Sequence, residues 1–134
     1  MAVLEGVALY HSPVEEVHCP RWSRGRLVLI GDAAHAIGPV WAQGAALALE
    51  DAITLAGLLT ADGDRDGVGA VYERLRRPRV DHVRAATDRM SRFAALPVRL
   101  RDAVAPTVGP RTYRATYGPL REAPAGNSTH MSGE

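Results

Sequence analysis

Lysine is absent from these 134 residues: all sixteen basic side chains are arginine, and fifteen acids leave a formal net charge of +1. A balance that close gives no global attraction to nucleic acid, and the arginine-only usage reads as a coding bias. Cysteine occurs once, as Cys19, which excludes an internal disulfide and suits a reducing cytoplasm. No run approaches the roughly 18–20 apolar residues a bilayer helix needs, and no charged-then-apolar leader opens the chain, so no membrane partner is expected. No strand–GxGxxG–helix unit occurs, and His35 has no serine nucleophile elbow beside it, which removes support for a hydrolytic triad. His11, His18 and Cys19 lack metal-ligand spacing and no second pair completes one. With 46% apolar residues, the chain is neither disordered nor membrane-spanning, and its length suffices for one core.

What is present centres on residues 25–51. Leu27, Val28, Leu29 and Ile30 run without alternation, the pattern of a strand buried on both faces of a parallel sheet, predicted over 26–31. Gly31-Asp32 stops it with a tight turn and a carboxylate. A loop over 32–43, containing Gly38-Pro39, leads to Gly44, which opens a run of helix formers to about residue 60. Its stripe of Leu47, Leu55, Leu58 and Leu59, with Ala48 and Ala52 between, favours close packing on a sheet or a cofactor. Strand, polar turn and helix N-terminus make a ligand site at the carboxyl end of a strand.

The segment from Trp22 through Gly25-Arg26, Gly31-Asp-Ala-Ala-His35, Pro39, Gln43-Gly44 and Glu50-Asp-Ala52 resembles the second FAD-binding motif of the class A flavoprotein monooxygenases, the aromatic-ring hydroxylases. Tyr72-Glu73 and Arg77-Pro78-Arg79 resemble that family's next helix, and the likeness extends over about residues 5–120. It implies an α/β fold: the C-terminal fragment of an FAD-binding, Rossmann-like domain, with few strands plus long helices, over 1–122, followed by a disordered tail over 123–134. It implies FAD as cofactor, NAD(P)H and O2 as co-substrates, and an aromatic or polyketide-like small molecule as substrate. Asp32 is matched to the acid on the ribityl side of FAD. The amides of Gly44, Ala45 and Ala46, with Gln43 just ahead, face the electron-rich edge of the ring system. Pro39 lies beside the reactive face, and Val40 and Trp41 line the substrate side. No protein side chain is assigned a catalytic role, the chemistry being the cofactor's. Two departures stand out. The family's Gly-Gln-Gly is Ala42-Gln43-Gly44, and its common asparagine is Ala46. Ala42 favours a negative φ, which predicts a shifted loop.

The chain lacks the glycine turn that holds the FAD pyrophosphate in that family, so it resembles the C-terminal third of such an enzyme and is expected to be inactive alone. Two or three strands (Val7–Tyr10 and Val14–Val17 besides the central one) make a thin scaffold with exposed apolar edges, which predicts a partner chain, a second copy or a truncated gene product. The alternative function is a non-catalytic remnant or an assembly module docking on a partner.

Farther along, Val71, Leu75, Val83, Ala86, Met90 and Phe93 sit at helical spacing, with Pro78 expected to start a new helix or kink this one. Residues 96–122 read as a short helix and extended segments. Asp62-x-Asp64-x-Asp66-Gly67-x5-Glu73 satisfies the calcium-loop pattern, but Gly69 stands where a paired hand places an aliphatic residue, and Asp66 as an N-cap explains the same letters. Eleven arginines face three acids between Arg74 and Arg114, read as a solvated or interface surface; nucleic acid is not an expected partner. His35 is expected to make a structural hydrogen bond to its neighbouring loop.

Overall fold

The computed structural model describes residues 12–61 and 65–121. Two short strands, β1 (Ser23–Arg24) and β2 (Leu27–Val28), pair antiparallel with Ser23 opposite Val28 and Arg24 opposite Leu27. Gly25 takes φ +58° at the first central position of the two-residue turn, where only glycine is comfortable. Four helices follow: α1 (Asp32–His35), α2 (Gly44–Thr60), α3 (Val68–Ala94) and α4 (Val98–Tyr117). Single 3₁₀ turns at Pro39–Trp41 and Pro119–Arg121 precede α2 and follow α4.

α3 is the spine, packing against α2, α4, β1 and the 3₁₀ turn at Pro39–Trp41. Its buried face runs Val68, Tyr72, Arg76, Val80, Val83, Thr87, a three-to-four residue spacing that places all six on one stripe. Trp22, Ala34, Leu47, Tyr72, Val80 and Val83 form the core. Trp22 is fully buried, its ring 5.2 Å from that of His35 and 6.3 Å from that of Tyr72, with the Arg77 guanidinium 4.6 Å from its centroid. Its backbone N–H donates to Glu73 at 3.0 Å and its indole N–H to the Cys19 carbonyl at 3.1 Å. α3 lies so close over the hairpin that a Cβ on Gly69 would stand 2.7 Å from Ser23 Cβ, which is why that position is glycine.

Several expectations are corrected. The run Leu27–Ile30 is not a doubly buried parallel strand: only Leu27–Val28 is strand, it belongs to an antiparallel hairpin, and Leu27 is 65% exposed. A central strand needs a hydrogen-bonded neighbour on each side, and among the described residues β1 alone pairs with it. Val14–Val17 is not a strand. It is exposed and without regular structure, tied to the body through Val17 N–H to the Ala36 carbonyl and the Arg84 guanidinium to the Val17 carbonyl. Pro78 neither ends α3 nor starts another helix; it stands on an exposed face where its missing N–H leaves a solvated carbonyl unpaired. Residues 98–117 form one long helix despite Pro106 and Pro110, not a short helix with extended segments. On α2, Leu47 is buried and Leu55 and Leu58 pack on the core, but Leu59 and Ala52 face outward. Val7–Tyr10 and the tail over 123–134 lie outside the described residues, as do Asp62 and Asp64. None of the described helices is long and apolar enough to cross a membrane. The α/β character with few strands and long helices holds.

Candidate functional site

Asp51 organises the site from within. It sits on α2 one turn beyond Leu47 and one before Leu55, so the spacing that buries those leucines buries its carboxylate as well. Oδ2 accepts the Gly31 backbone N–H at 2.9 Å and meets His35 Nε2 at 2.6 Å, while Oδ1 accepts Arg76 Nε at 2.7 Å. Arg76, 1% exposed, also donates to Glu50 Oε2 at 2.8 Å and to the Leu47 carbonyl at 3.2 Å. Arg79 then clamps Glu50 through two 2.6 Å hydrogen bonds and donates to the Pro119 and Leu120 carbonyls. Buried charges need such saturation, and here nearly every lone pair of both acids has a donor.

The electrostatics follow. Burial works against ionisation of Asp51, but the hydrogen bonds from His35, Arg76 and Gly31 outweigh it and hold the carboxyl below its ordinary range. An ionised carboxylate only accepts, so His35 Nε2 carries the proton in this pair. Burial first, and then the Asp51 charge, push the Tyr72 hydroxyl above its usual value. His35 therefore pairs with a carboxylate on α2, not with the neighbouring loop as expected.

This buried network fixes the surface above it. Gly31 takes φ 55° and ψ −139°, a conformation for glycine alone, and an added Cβ would lie 3.2 Å from Ala48 Cβ. The chain thus passes hard against α2 about one turn from its start, and Asp32 projects from that point. Asp32 is exposed and makes no side-chain hydrogen bond or ion pair among the described residues. The α2 N-terminus is likewise uncapped: Gln43 offers no side-chain bond, and Ala45 and Ala46 are exposed with small side chains. The unpaired carboxylate offers an acceptor for hydroxyls, and the uncapped helix start offers a positive dipole end for an electron-rich group. A Cβ on Gly44 would meet nothing within 4 Å, so the helix start is approached from open space.

The loop between them departs from expectation in an informative way. Ala42 does not shift the loop by avoiding positive φ; it adopts φ 52°, ψ 30°, the left-handed region a glycine would occupy. Its N–H bonds the Pro39 carbonyl at 3.2 Å, so the 3₁₀ turn Pro39–Trp41 closes and α2 begins where it does. Pro39 and Val40 are exposed beside this turn. Trp41 stands edge-on to Tyr117 of α4, with ring centroids 5.6 Å apart.

Asp32, Pro39, Gln43, Gly44, Ala45 and Ala46 thus belong to one connected stretch of loop and helix start. Beneath lies what sequence reasoning did not read: it placed Glu50, Asp51 and Arg79 in the family's motifs without giving them a role, and it passed over Arg76. A signal existed, since Asp51 and Arg76 each interrupt an apolar stripe with a charge, of opposite sign on two successive helices. The arginine-rich segment is accordingly not one solvated face; Arg76 is buried, and Arg77, Arg79 and Arg84 are engaged. Glu73, the last letter of the calcium pattern, is committed to Trp22 N–H, Ser23 Oγ and Arg77. Burial opposes its ionisation, but the Arg77 bond and the others hold its carboxyl low. Among the described residues no group of three or more His, Cys, Asp or Glu could hold a metal ion.

Comparison with known proteins places the chain. Residues 7–90 match the family model described as FAD binding domain. A 3-hydroxybenzoate 6-hydroxylase of Klebsiella oxytoca is 44% identical over 73 residues, covering 54% of this chain and 18% of that protein. A 6-hydroxynicotinate 3-monooxygenase of Bordetella bronchiseptica is 47% identical over 66 residues, 48% of this chain and 17% of the relative. A 3-amino-4-hydroxybenzoate 2-monooxygenase of Streptomyces platensis is 45% identical over 91 residues, 64% of this chain and 23% of the relative. The chain therefore spans less than a quarter of the length of each of these relatives. With the family model covering well over half of it, this chain belongs to the FAD binding domain family of the class A flavoprotein monooxygenases.

Proposed function

We propose that this chain supplies the FAD-contacting loop and helix of a flavin-dependent monooxygenase that hydroxylates an aromatic or polyketide-like small molecule with NAD(P)H and O2, the rest of the site coming from segments such as its relatives carry. When bound, FAD supplies the redox and oxygen chemistry. Asp32 accepts hydrogen bonds from sugar-alcohol hydroxyls. The amides of Gly44, Ala45 and Ala46 stabilise negative charge at the ring edge, and Gln43 sets their approach. Pro39 packs beside the ring face, with Val40 and Trp41 toward the substrate. Asp51 is a positioning residue, holding Gly31, His35 and α2 in one frame.

The observation that carries this reading is the exposed, unpaired Asp32 on a turn that touches α2 at Ala48, together with the uncapped start of that helix, the turn and the helix being joined by one buried carboxylate. Protein functional groups left unmatched at a rigidly held surface are what a ligand completes. Titrating FAD into the purified chain, followed by quenching of flavin fluorescence, tests it. We expect weak binding that falls about tenfold in Asp32→Ala, the scale of one charge-assisted hydrogen bond. Equal binding by that variant overturns the role of Asp32. Stoichiometric flavin with NAD(P)H oxidase activity overturns the view that this chain holds only part of the site.

A second reading, a docking module without turnover, is favoured by the outward face of α2, where Leu49 is 67% and Ile53 53% exposed. Mass measurement in solution discriminates: a monomer at all concentrations, with and without a co-expressed partner, removes it.

A further inference from the structure

The segment ahead of the hairpin has no part in the flavin reading, yet it is fastened directly to the loop that carries Pro39. Val17 N–H donates to the Ala36 carbonyl at 3.0 Å, and the Arg84 guanidinium of α3 donates to the Val17 carbonyl at 3.2 Å. Next to them, Gly38 N–H donates to Glu16 Oε1 at 3.0 Å. We propose that Glu16 is a positioning residue of the flavin site: its carboxylate, through the Gly38 N–H, fixes where the Pro39–Trp41 turn stands. What that turn does rests on the proposed flavin function; how it is held is read from the contacts of Glu16.

Two observations carry it. The first is the residue at position 38. Gly38 has φ −51° and ψ 144°, extended values open to any residue and favoured ahead of a proline, so the backbone does not require glycine there. The acid fills the space instead: a Cβ on Gly38 would stand 2.9 Å from Glu16 Oε1 and 3.6 Å from Thr87 Cγ2. Thr87 is buried on α3, whereas the end of a glutamate side chain is free to swing. A side chain at 38 therefore pushes the carboxylate off the amide and leaves the helix in place. The second observation is where the contact falls. Gly38 immediately precedes the 3₁₀ turn, and Pro39 has no N–H of its own, so the Gly38 amide is the last backbone donor before the turn begins. Two residues earlier, Ala36 is held by Val17, which Arg84 ties to α3. The turn packs against that same helix, so residues 16 and 17 brace the approach to the turn from the side opposite its own packing. The second carboxylate oxygen of Glu16 lies 3.5 Å from His18 Nε2, which steadies the acid at its post.

The test reads the Gly38 amide first and FAD second. In ¹H–¹⁵N spectra of the full chain, Gly38 N–H should be protected from hydrogen exchange. Glu16→Ala should speed its exchange about tenfold and move the Trp41 indole peak, while the Gly31 amide, bonded to buried Asp51, stays protected. Glu16→Gln keeps an acceptor oxygen at the same reach and should restore most of the protection. Gly38→Ala should move the Trp41 peak as Glu16→Ala does, and the double variant should move it no farther, because both changes break one contact. In an FAD titration, Glu16→Ala and Gly38→Ala should each lose roughly threefold to tenfold in affinity, with Glu16→Gln near the wild-type chain. A Gly38 amide or an FAD affinity indifferent to Glu16→Ala overturns the inference. So do a glutamine variant as impaired as the alanine one, additive effects in the double variant, and a Gly31 amide that loosens together with Gly38. A wild-type chain that binds no FAD sinks the flavin function instead, and the Gly38 amide then still decides whether Glu16 holds the turn.

Discussion

His35 and Asp51 meet at 2.6 Å between Nε2 and Oδ2 with both side chains shut off from solvent, and that contact joins the turn after the hairpin to the first long helix. Because Gly31 and Arg76 bind the same carboxylate, three segments, the turn, α2 and α3, converge on one charge. Removing the charge leaves the Arg76 cation buried against Glu50 alone and the His35 ring without its partner. Asp51→Ala should therefore destabilise the chain by about 3–5 kcal/mol, the scale of a broken buried pair. Chemical denaturation monitored by circular dichroism measures it.

The same carboxylate dictates an acid limit. Its folded-state pKa lies below the unfolded value, so its contribution is fully present above the ordinary aspartate range and is lost as pH falls through the lower folded value. Stability measured from pH 6 down to pH 2 should drop through this window in the wild-type chain. In Asp51→Asn, which cannot titrate, the drop should be shallower, with only Glu73 and the surface acids left to drive it.

Ala42 offers a prediction whose sign rests on two competing magnitudes. Holding an alanine at φ 52° costs about 1–2 kcal/mol. Glycine avoids that but loses roughly 0.5–1 kcal/mol more entropy on folding. The first outweighs the second, so Ala42→Gly should stabilise the chain by about 0.5–1 kcal/mol in a urea melt, and a destabilised variant would contradict the left-handed assignment.

Gly31 should respond in the opposite direction. Its φ and ψ lie where side chains are not accommodated, and a Cβ would press on Ala48 at 3.2 Å. Gly31→Ala should cost about 1–3 kcal/mol from the backbone alone. It should also loosen the turn that presents Asp32, so thermal melting and FAD titration of this variant are expected to weaken together.

The parts of this protein written locally in its residues were legible before any coordinates. The helix from Gly44 to Thr60 follows from its composition, and membership of the flavoprotein family follows from the string around Gly31–His35 and Gln43–Asp51. Those features depend on neighbours a few residues away, where backbone sterics and helical periodicity act. The environments of the charges were decided only by the tertiary structure. That Asp51 and Arg76 lie inside, although charge ordinarily faces water, depends on two helices being brought into register so that each supplies the other's counter-charge. Leu27–Ile30 reads as core yet Leu27 stands exposed, because burial of a strand depends on what lies beside it. Ala42 holds a glycine's conformation because the Pro39 carbonyl and the α2 start constrain it more strongly than its own Cβ resists.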